Sequence, residues 1–220
     1  MKSKSKNNLP IKDAFNFGWE KFKDNIVLFL TIVAVIWVVF LAPTMISEEI
    51  SESFPMTSMI ISIIGFVISL IVSIGLIKIS LNFTDKKKST ISDLFSSQEL
   101  FFIYLGGAIL YTLIMAGGLI LLIIPGIVWW VKYQFYGFAI VDKNMGPVEA
   151  LKESGKITKG KKGQLLLFNI IAGIINLVGI LFFTLGLFIT IPITALALAF
   201  IYRHLSPSTA KRKTKRKKIA

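Results

Sequence analysis

The chain has 220 residues, 54% of them hydrophobic and only 17% charged, with a formal net charge of +13 and a mean hydropathy of +0.72. A water-soluble domain of this length would have too little polar surface to stay dispersed. The absence of cysteine excludes disulfides, thiolate metal sites and a cysteine nucleophile.

Residues 1–9 read as a basic tail containing Lys2, Lys4 and Lys6. The first apolar run starts only near Ile26, and no A-x-A-like site follows it, so a cleaved signal peptide is not expected. From Pro10, Ile11, Ala14, Phe15, Gly18, Trp19 and Phe22 recur at three- and four-residue spacing, with Lys12, Asp13, Glu20, Lys21 and Lys23 largely on the other side. That spacing predicts an amphipathic helix lying in the membrane interface.

Charge-free stretches run from Ile26 to Ser47 and from Ser53 to Ile77. Two longer runs follow: Leu100 to Val141 carries Lys132 as its one charge, and Gly163 to Tyr202 carries none. A single crossing needs about 20 apolar residues. Each long run therefore folds back on itself, at Ile124-Pro125-Gly126 in the first and near Thr184 to Gly186 in the second. The expected crossings are 26–46, 56–78, 100–123, 126–142, 164–183 and 187–203, within a membrane domain spanning 10–205.

Loop charges alternate in sign along this scheme. Glu48, Glu49 and Glu52 follow the first crossing, Lys86, Lys87 and Lys88 the second, and Lys143, Lys152, Lys156, Lys159, Lys161 and Lys162 the fourth. Arg203 and a basic tail over 206–220 close the chain. By the positive-inside rule both termini are cytoplasmic.

Two further cytoplasmic segments precede hairpins. Thr90-Ile91-Ser92-Asp93 fits a capping box leading into Leu94 and Phe95. Pro147 opens a helix through Ser154, with Glu149 in its first turn. Set side by side, Asp13-Ala14-Phe15, Asp93-Leu94-Phe95 and Glu149-Ala150-Leu151 suggest a threefold repeat of interfacial helix plus hairpin. The alternative is a pattern that any cytoplasmic loop beside lipid acquires.

The stretch Ile124-Pro125-Gly126 through Lys132-Tyr133 to Val141-Asp142, then Gly146-Pro147-Val148-Glu149-Ala150-Leu151-Lys152-Glu153-Ser154 and Thr158-Lys159-Gly160, resembles the glycerophosphodiester phosphodiesterase membrane-domain family and its relatives of unknown function. Ala14-Phe15 with Gly18-Trp19, Asp93-Leu94-Phe95, and Ile191-Pro192 to Tyr202-Arg203 are similar to that pattern too. The resemblance implies a polytopic membrane domain, which in some relatives precedes a soluble catalytic barrel. No barrel is expected here, because the chain ends shortly after the last apolar run. Gly155 stands where the family often has tryptophan, which weakens the interfacial anchor of that helix.

Lys132 is the residue most open to a functional reading. It lies six residues beyond Gly126, about 9 Å below the outer end of its expected helix. An ionisable group at that depth is a functional candidate; alternatively its side chain snorkels to outer headgroups beside Trp129 and Trp130. No acid falls within a crossing to pair with it, unless Asp142 or a loop carboxylate folds inward. Gln134 adjoins it, and Asn169 and Asn176 are amides on the fifth crossing, suited to interhelical hydrogen bonds or to a ligand pocket.

The tail places Lys211, Arg212, Lys213, Lys215, Arg216, Lys217 and Lys218 within eight positions. Anionic lipid headgroups are its leading partner. Contact with RNA phosphate is the weaker reading, because no aromatic residues interleave to stack bases. His204 is the one histidine and has no partner for a metal or a triad, and Glu48, Glu49 and Glu52 crowd one exposed loop.

The sequence thus points to an all-α, polytopic membrane protein. Six transmembrane helices form three hairpins, joined by cytoplasmic interfacial amphipathic helices. Neither a cofactor nor a metal site is expected. The expected role is non-catalytic, as a component that contacts membrane lipids or binds a membrane-protein partner in the cell membrane. The alternative is a small transporter or channel with Lys132 in an anion-binding site, and a membrane hydrolase stands third.

Overall fold

The computed structural model describes residues 8–182 and 185–207, and among these every regular element is helical. Helix α1 spans Ile11–Asp24, α2 Ile26–Ile50, α3 Pro55–Thr84, α4 Phe101–Leu121, α5 Ile123–Tyr133, α6 Tyr136–Lys143, α7 Pro147–Ile157, α8 Lys162–Leu181 and α9 Leu187–Leu205. Two 3₁₀ turns, Ile91–Phe95 and Gln98–Leu100, lead into α4. Five stretches are long and apolar enough to cross a membrane: α2, α3, the segment Ile91–Ile120 containing α4, α8 and α9. Their outward faces are oily, with Val27 and Phe102 each 80% exposed and Ile120 85% exposed. A surface of that kind needs lipid rather than water beside it. The chain is an all-helical membrane protein.

Four expected boundaries shift, the first being the end of α2, which continues past 46 to Ile50 and so carries Glu48 and Glu49. Lys78 was expected to close the second crossing, yet α3 continues six residues past it to Thr84. Ile79, Leu81 and Phe83 are buried in that extension, and the Lys78 ammonium finds the Ser96 carbonyl at 3.3 Å. The first long run reverses at Leu122, whose backbone is extended, rather than at Ile124-Pro125-Gly126. Pro125 falls in the first turn of α5, where a missing N–H costs no helical hydrogen bond. The stretch 126–142, expected as one crossing, is broken at Gln134 and Phe135 into α5 and α6. Thr184, in the other expected turn, lies outside the described residues.

Sequence-adjacent long helices pack in pairs: α2 on α3, α4 on α5, and α8 on α9. The segments preceding these pairs pack elsewhere. Helix α1 lies across α9, the Ile91–Phe95 turn lies on α3, and α7 lies on α6 and α4. Each therefore rests on the last arm of the pair before it, and α1 closes the circuit by resting on α9. The middle residues of the three aligned triplets, Ala14, Leu94 and Ala150, are all 0% exposed. Two of the crossings are tight enough to require glycine. A Cβ on Gly18 would run into the Ile193 carbonyl, and one on Gly75 into the Leu94 backbone. Thr90 and Asp93 form the expected capping box, with the Thr90 N–H donating to Asp93 Oδ2 at 3.0 Å, although the element they start is a 3₁₀ turn and not a longer helix.

Candidate functional site

The break between α5 and α6 frees backbone groups that an unbroken helix would pair internally. Helix α7 supplies their partners. Ser154, 0% exposed, donates its hydroxyl to the Lys132 carbonyl at 2.9 Å and accepts the Phe135 N–H at 3.1 Å. The Thr158 hydroxyl lies 3.1 Å from the same Lys132 carbonyl and 2.8 Å from that of Ser154. One face of α7 is thereby fastened to the last turn of α5.

The fastening fixes the backbone of Lys132 and turns its side chain toward α7. Its ammonium donates to the Tyr133 hydroxyl at 2.6 Å. Its Cε lies where Gly155 leaves room: a Cβ added to Gly155 would come within 3.1 Å of it. Lys132 therefore does not reach toward the α4–α5 turn, as snorkelling to outer headgroups would require. It opens into a cleft of about 620 Å³ between α4, α5 and α7. Lys152, Lys156 and Lys159 line the same cleft from the α7 side, and Leu110 and Ile114 form its apolar wall on α4. No carboxylate is among the lining residues. Glu153 is held by Lys143 at 2.6 Å.

A second basic cleft, of about 860 Å³, is bordered by Lys21, Lys86, Lys87 and Lys88 with Asn25 and Thr90. It is more polar in its walls, and Lys21 is already paired with Asp24 at 3.2 Å.

Sequence reasoning missed the charge cluster where α3, α6 and α9 end. Arg203 donates to Asp85 Oδ2 and to Asp142 Oδ2, each at 2.7 Å. The Tyr202 hydroxyl donates to the same Asp142 oxygen at 3.0 Å. The Arg203 and Asp142 side chains are only 9% and 11% exposed. Asp142 is thus committed to Arg203 and not to Lys132. A signal was present: Asp142 and Arg203 each end an apolar run, Asp85 opens the basic loop that follows another, and ends at one membrane face can meet.

A family model described as a domain of unknown function (DUF7847) matches residues 26–210. The chain belongs to the DUF7847 family. The DUF7847 match covers the Lys132 cleft and the Arg203 cluster but not α1. Among curated proteins, this DUF7847 chain is similar to the uncharacterized protein Mb2590 of Mycobacterium bovis and the uncharacterized protein Rv2560 of Mycobacterium tuberculosis. Each is 27% identical over 164 residues, covering 73% of this chain and 50% of the relative. The chain spans about half the length of the curated relatives it matches. No solved structure matches it.

The other expected site residues of this DUF7847 chain do not gather at the cleft. Gln134 donates back to the Val131 carbonyl at 3.0 Å, closing the last turn of α5. On α8, Asn176 reaches Thr194 on α9 at 3.5 Å. Buried Asn169 Nδ2, Asn176 Oδ1 and Arg203 Nε have no partner among the described residues. Lys211, Arg212, Lys213, Lys215, Arg216, Lys217 and Lys218 lie outside the described residues. Among the described residues no group of acidic and histidine side chains is placed to hold a metal.

Proposed function

We propose that the chain is a cell-membrane protein of six crossings with both termini in the cytoplasm, acting without catalysis by holding anionic lipid at its cytoplasmic face. The crossings are three hairpins, the broken α5–α6 pair serving as the second arm of the middle one. One observation supports a shared face: Arg203, Asp85 and Asp142 meet, so α3, α6 and α9 end together, and the lysines there suit the cytoplasmic side. The basic segments they lead into, Lys86 to Lys88, Lys143 to Lys162 and the tail, then share one membrane face, while Glu48, Glu49 and Glu52 sit at the far end of α3. Clustered lysines beside a cytoplasmic leaflet attract anionic lipid by about 1 kcal/mol each. The resemblance to the glycerophosphodiester phosphodiesterase membrane domain agrees with a role inside the bilayer, and we carry over no hydrolase chemistry from it.

The experiment is the lipid composition that copurifies with the chain in mild detergent, with and without residues 211–218. Enrichment of anionic lipid over the bulk membrane is expected, reduced when the tail is removed. A retained composition equal to the bulk membrane would remove this reading.

One observation favours a second reading, transport or conduction of an anion. A broken helix with its freed backbone held by neighbouring side chains, and a cation at the break, is the pattern of a transporter site. Anion flux into proteoliposomes that disappears in Lys132→Ala would favour it; unchanged flux would return the cleft to lipid binding.

A further inference from the structure

We propose that the Lys132 cleft seats one anionic phospholipid bearing two phosphate charges, with its headgroup among Lys132, Lys152, Lys156 and Lys159 and one acyl chain along Leu110 and Ile114. The inference rests on the reading of the chain as a lipid-contacting membrane protein and names the site and the lipid.

Charge comes first. Four lysines line the cleft and no acidic residue does; Glu153 and Asp142 are held by Lys143 and Arg203, and Glu149, three residues before Lys152 on α7, is exposed and is not a lining residue. A single phosphodiester would leave most of that positive charge unmatched, whereas a headgroup with two phosphates spans it. Basic pockets between membrane helices on the cytoplasmic side suit headgroups of this kind.

Shape selects an amphiphile over a free anion. The cleft, about 620 Å³, has room for a headgroup and the start of a chain. Its apolar wall is continuous with the outer face of α4, where Ile109 and Leu113 are 52% and 63% exposed. A chain leaving the headgroup along Leu110 and Ile114 passes directly into surrounding lipid.

Lys132 is set in place for the headgroup. Ser154 holds its carbonyl, Gly155 leaves space for its side chain, and the Tyr133 hydroxyl takes one of its three N–H donors. Two donors remain for phosphate oxygens.

The test is native mass spectrometry of the purified full chain in mild detergent. It is titrated with tetraoleoyl cardiolipin (two phosphates), dioleoyl phosphatidylglycerol (one phosphate) and pyrophosphate (no chain). One cardiolipin per chain should bind at least about tenfold more tightly than phosphatidylglycerol, and pyrophosphate should not displace it. Lys132→Gln with Lys156→Gln should weaken cardiolipin at least about tenfold. Gly155→Trp, which fills the cleft and removes no charged residue, should do the same. Lys86→Gln with Lys87→Gln and Lys88→Gln, at the other basic cleft, should weaken that binding by much less than the cleft variants do. Circular dichroism and a single monodisperse peak identify the folded variants to be compared.

Equal loss in the Lys86 to Lys88 variant would overturn the site in favour of diffuse charge. Equal affinity for phosphatidylglycerol would overturn the two-phosphate headgroup, and displacement by pyrophosphate would make this a free-anion site. Anionic lipid retained by the wild type but unaffected by the cleft variants would sink the cleft alone. Absence of retained anionic lipid from the wild type would sink the lipid-contacting reading with it.

Discussion

The Ser154 hydroxyl lies 2.9 Å from the carbonyl of Lys132, a residue 22 positions earlier in the chain. This bond and its companion to the Phe135 N–H join α7 to the break between α5 and α6. Ser154→Ala removes both, leaving the Phe135 N–H without a partner and the Lys132 carbonyl with the Thr158 hydroxyl alone. The expected cost is about 1–3 kcal/mol, read as a lower midpoint of thermal unfolding in detergent. Ser154→Thr, which keeps the hydroxyl, should recover part of it.

Arg203 is the centre of the charge cluster, so its loss should exceed that of either acid. Arg203→Ala strands Asp85 and Asp142 together in a mostly buried place, at an expected cost of about 3–5 kcal/mol. In Asp85→Asn the guanidinium keeps Asp142, and the loss should be smaller. Unfolding midpoints of the two variants measured side by side would check the order.

Gly75 and Gly117 are both helical glycines with opposite surroundings. A Cβ on Gly75 would strike the backbone of the turn at Leu94, whereas one on Gly117 would meet nothing within 4 Å. Gly75→Ala should destabilise by about 1–3 kcal/mol, because the turn must move off α3. Gly117→Ala should be neutral or stabilising by up to about 1 kcal/mol. Equal effects would contradict the close contact of that turn with α3.

The absence of cysteine permits a clean orientation test. Single cysteines in place of Ser51, Ser89 and Ser208 can each be labelled with a reagent that does not cross the membrane. Ser51→Cys should react in intact cells, and the other two only after the membrane is opened. Labelling of Ser89→Cys from outside would reverse the proposed orientation.

Helical class and membrane character were legible because they depend on run length and hydropathy, which survive any packing arrangement. The middle residues of the aligned triplets, Ala14, Leu94 and Ala150, all lie at buried contacts, a burial that the sequence alone did not assign. The break at Gln134 and Phe135 was not legible, because no proline marks it and Lys132, Tyr133 and Gln134 are residues that a continuous helix accepts. Its partners, Ser154 and Thr158, come from a segment with an ordinary amphipathic pattern. Lys132 was singled out from its lone charge, but its direction was not, since only the packing of α7 and the space at Gly155 turn it. The Arg203 cluster escaped because its members are widely separated in sequence and each, read alone, is an ordinary charge beside an apolar segment.

The tie between Arg203 and the two earlier acids also bears on synthesis. Asp85 and Asp142 leave the ribosome well before the guanidinium that neutralises them, and α1 likewise precedes α9, its main packing partner. The earlier helices therefore lack these contacts until the last one arrives and latches the assembly. Translation halted before Tyr202 would leave the two carboxylates without their guanidinium, so the final packing is reached only once α9 has been made.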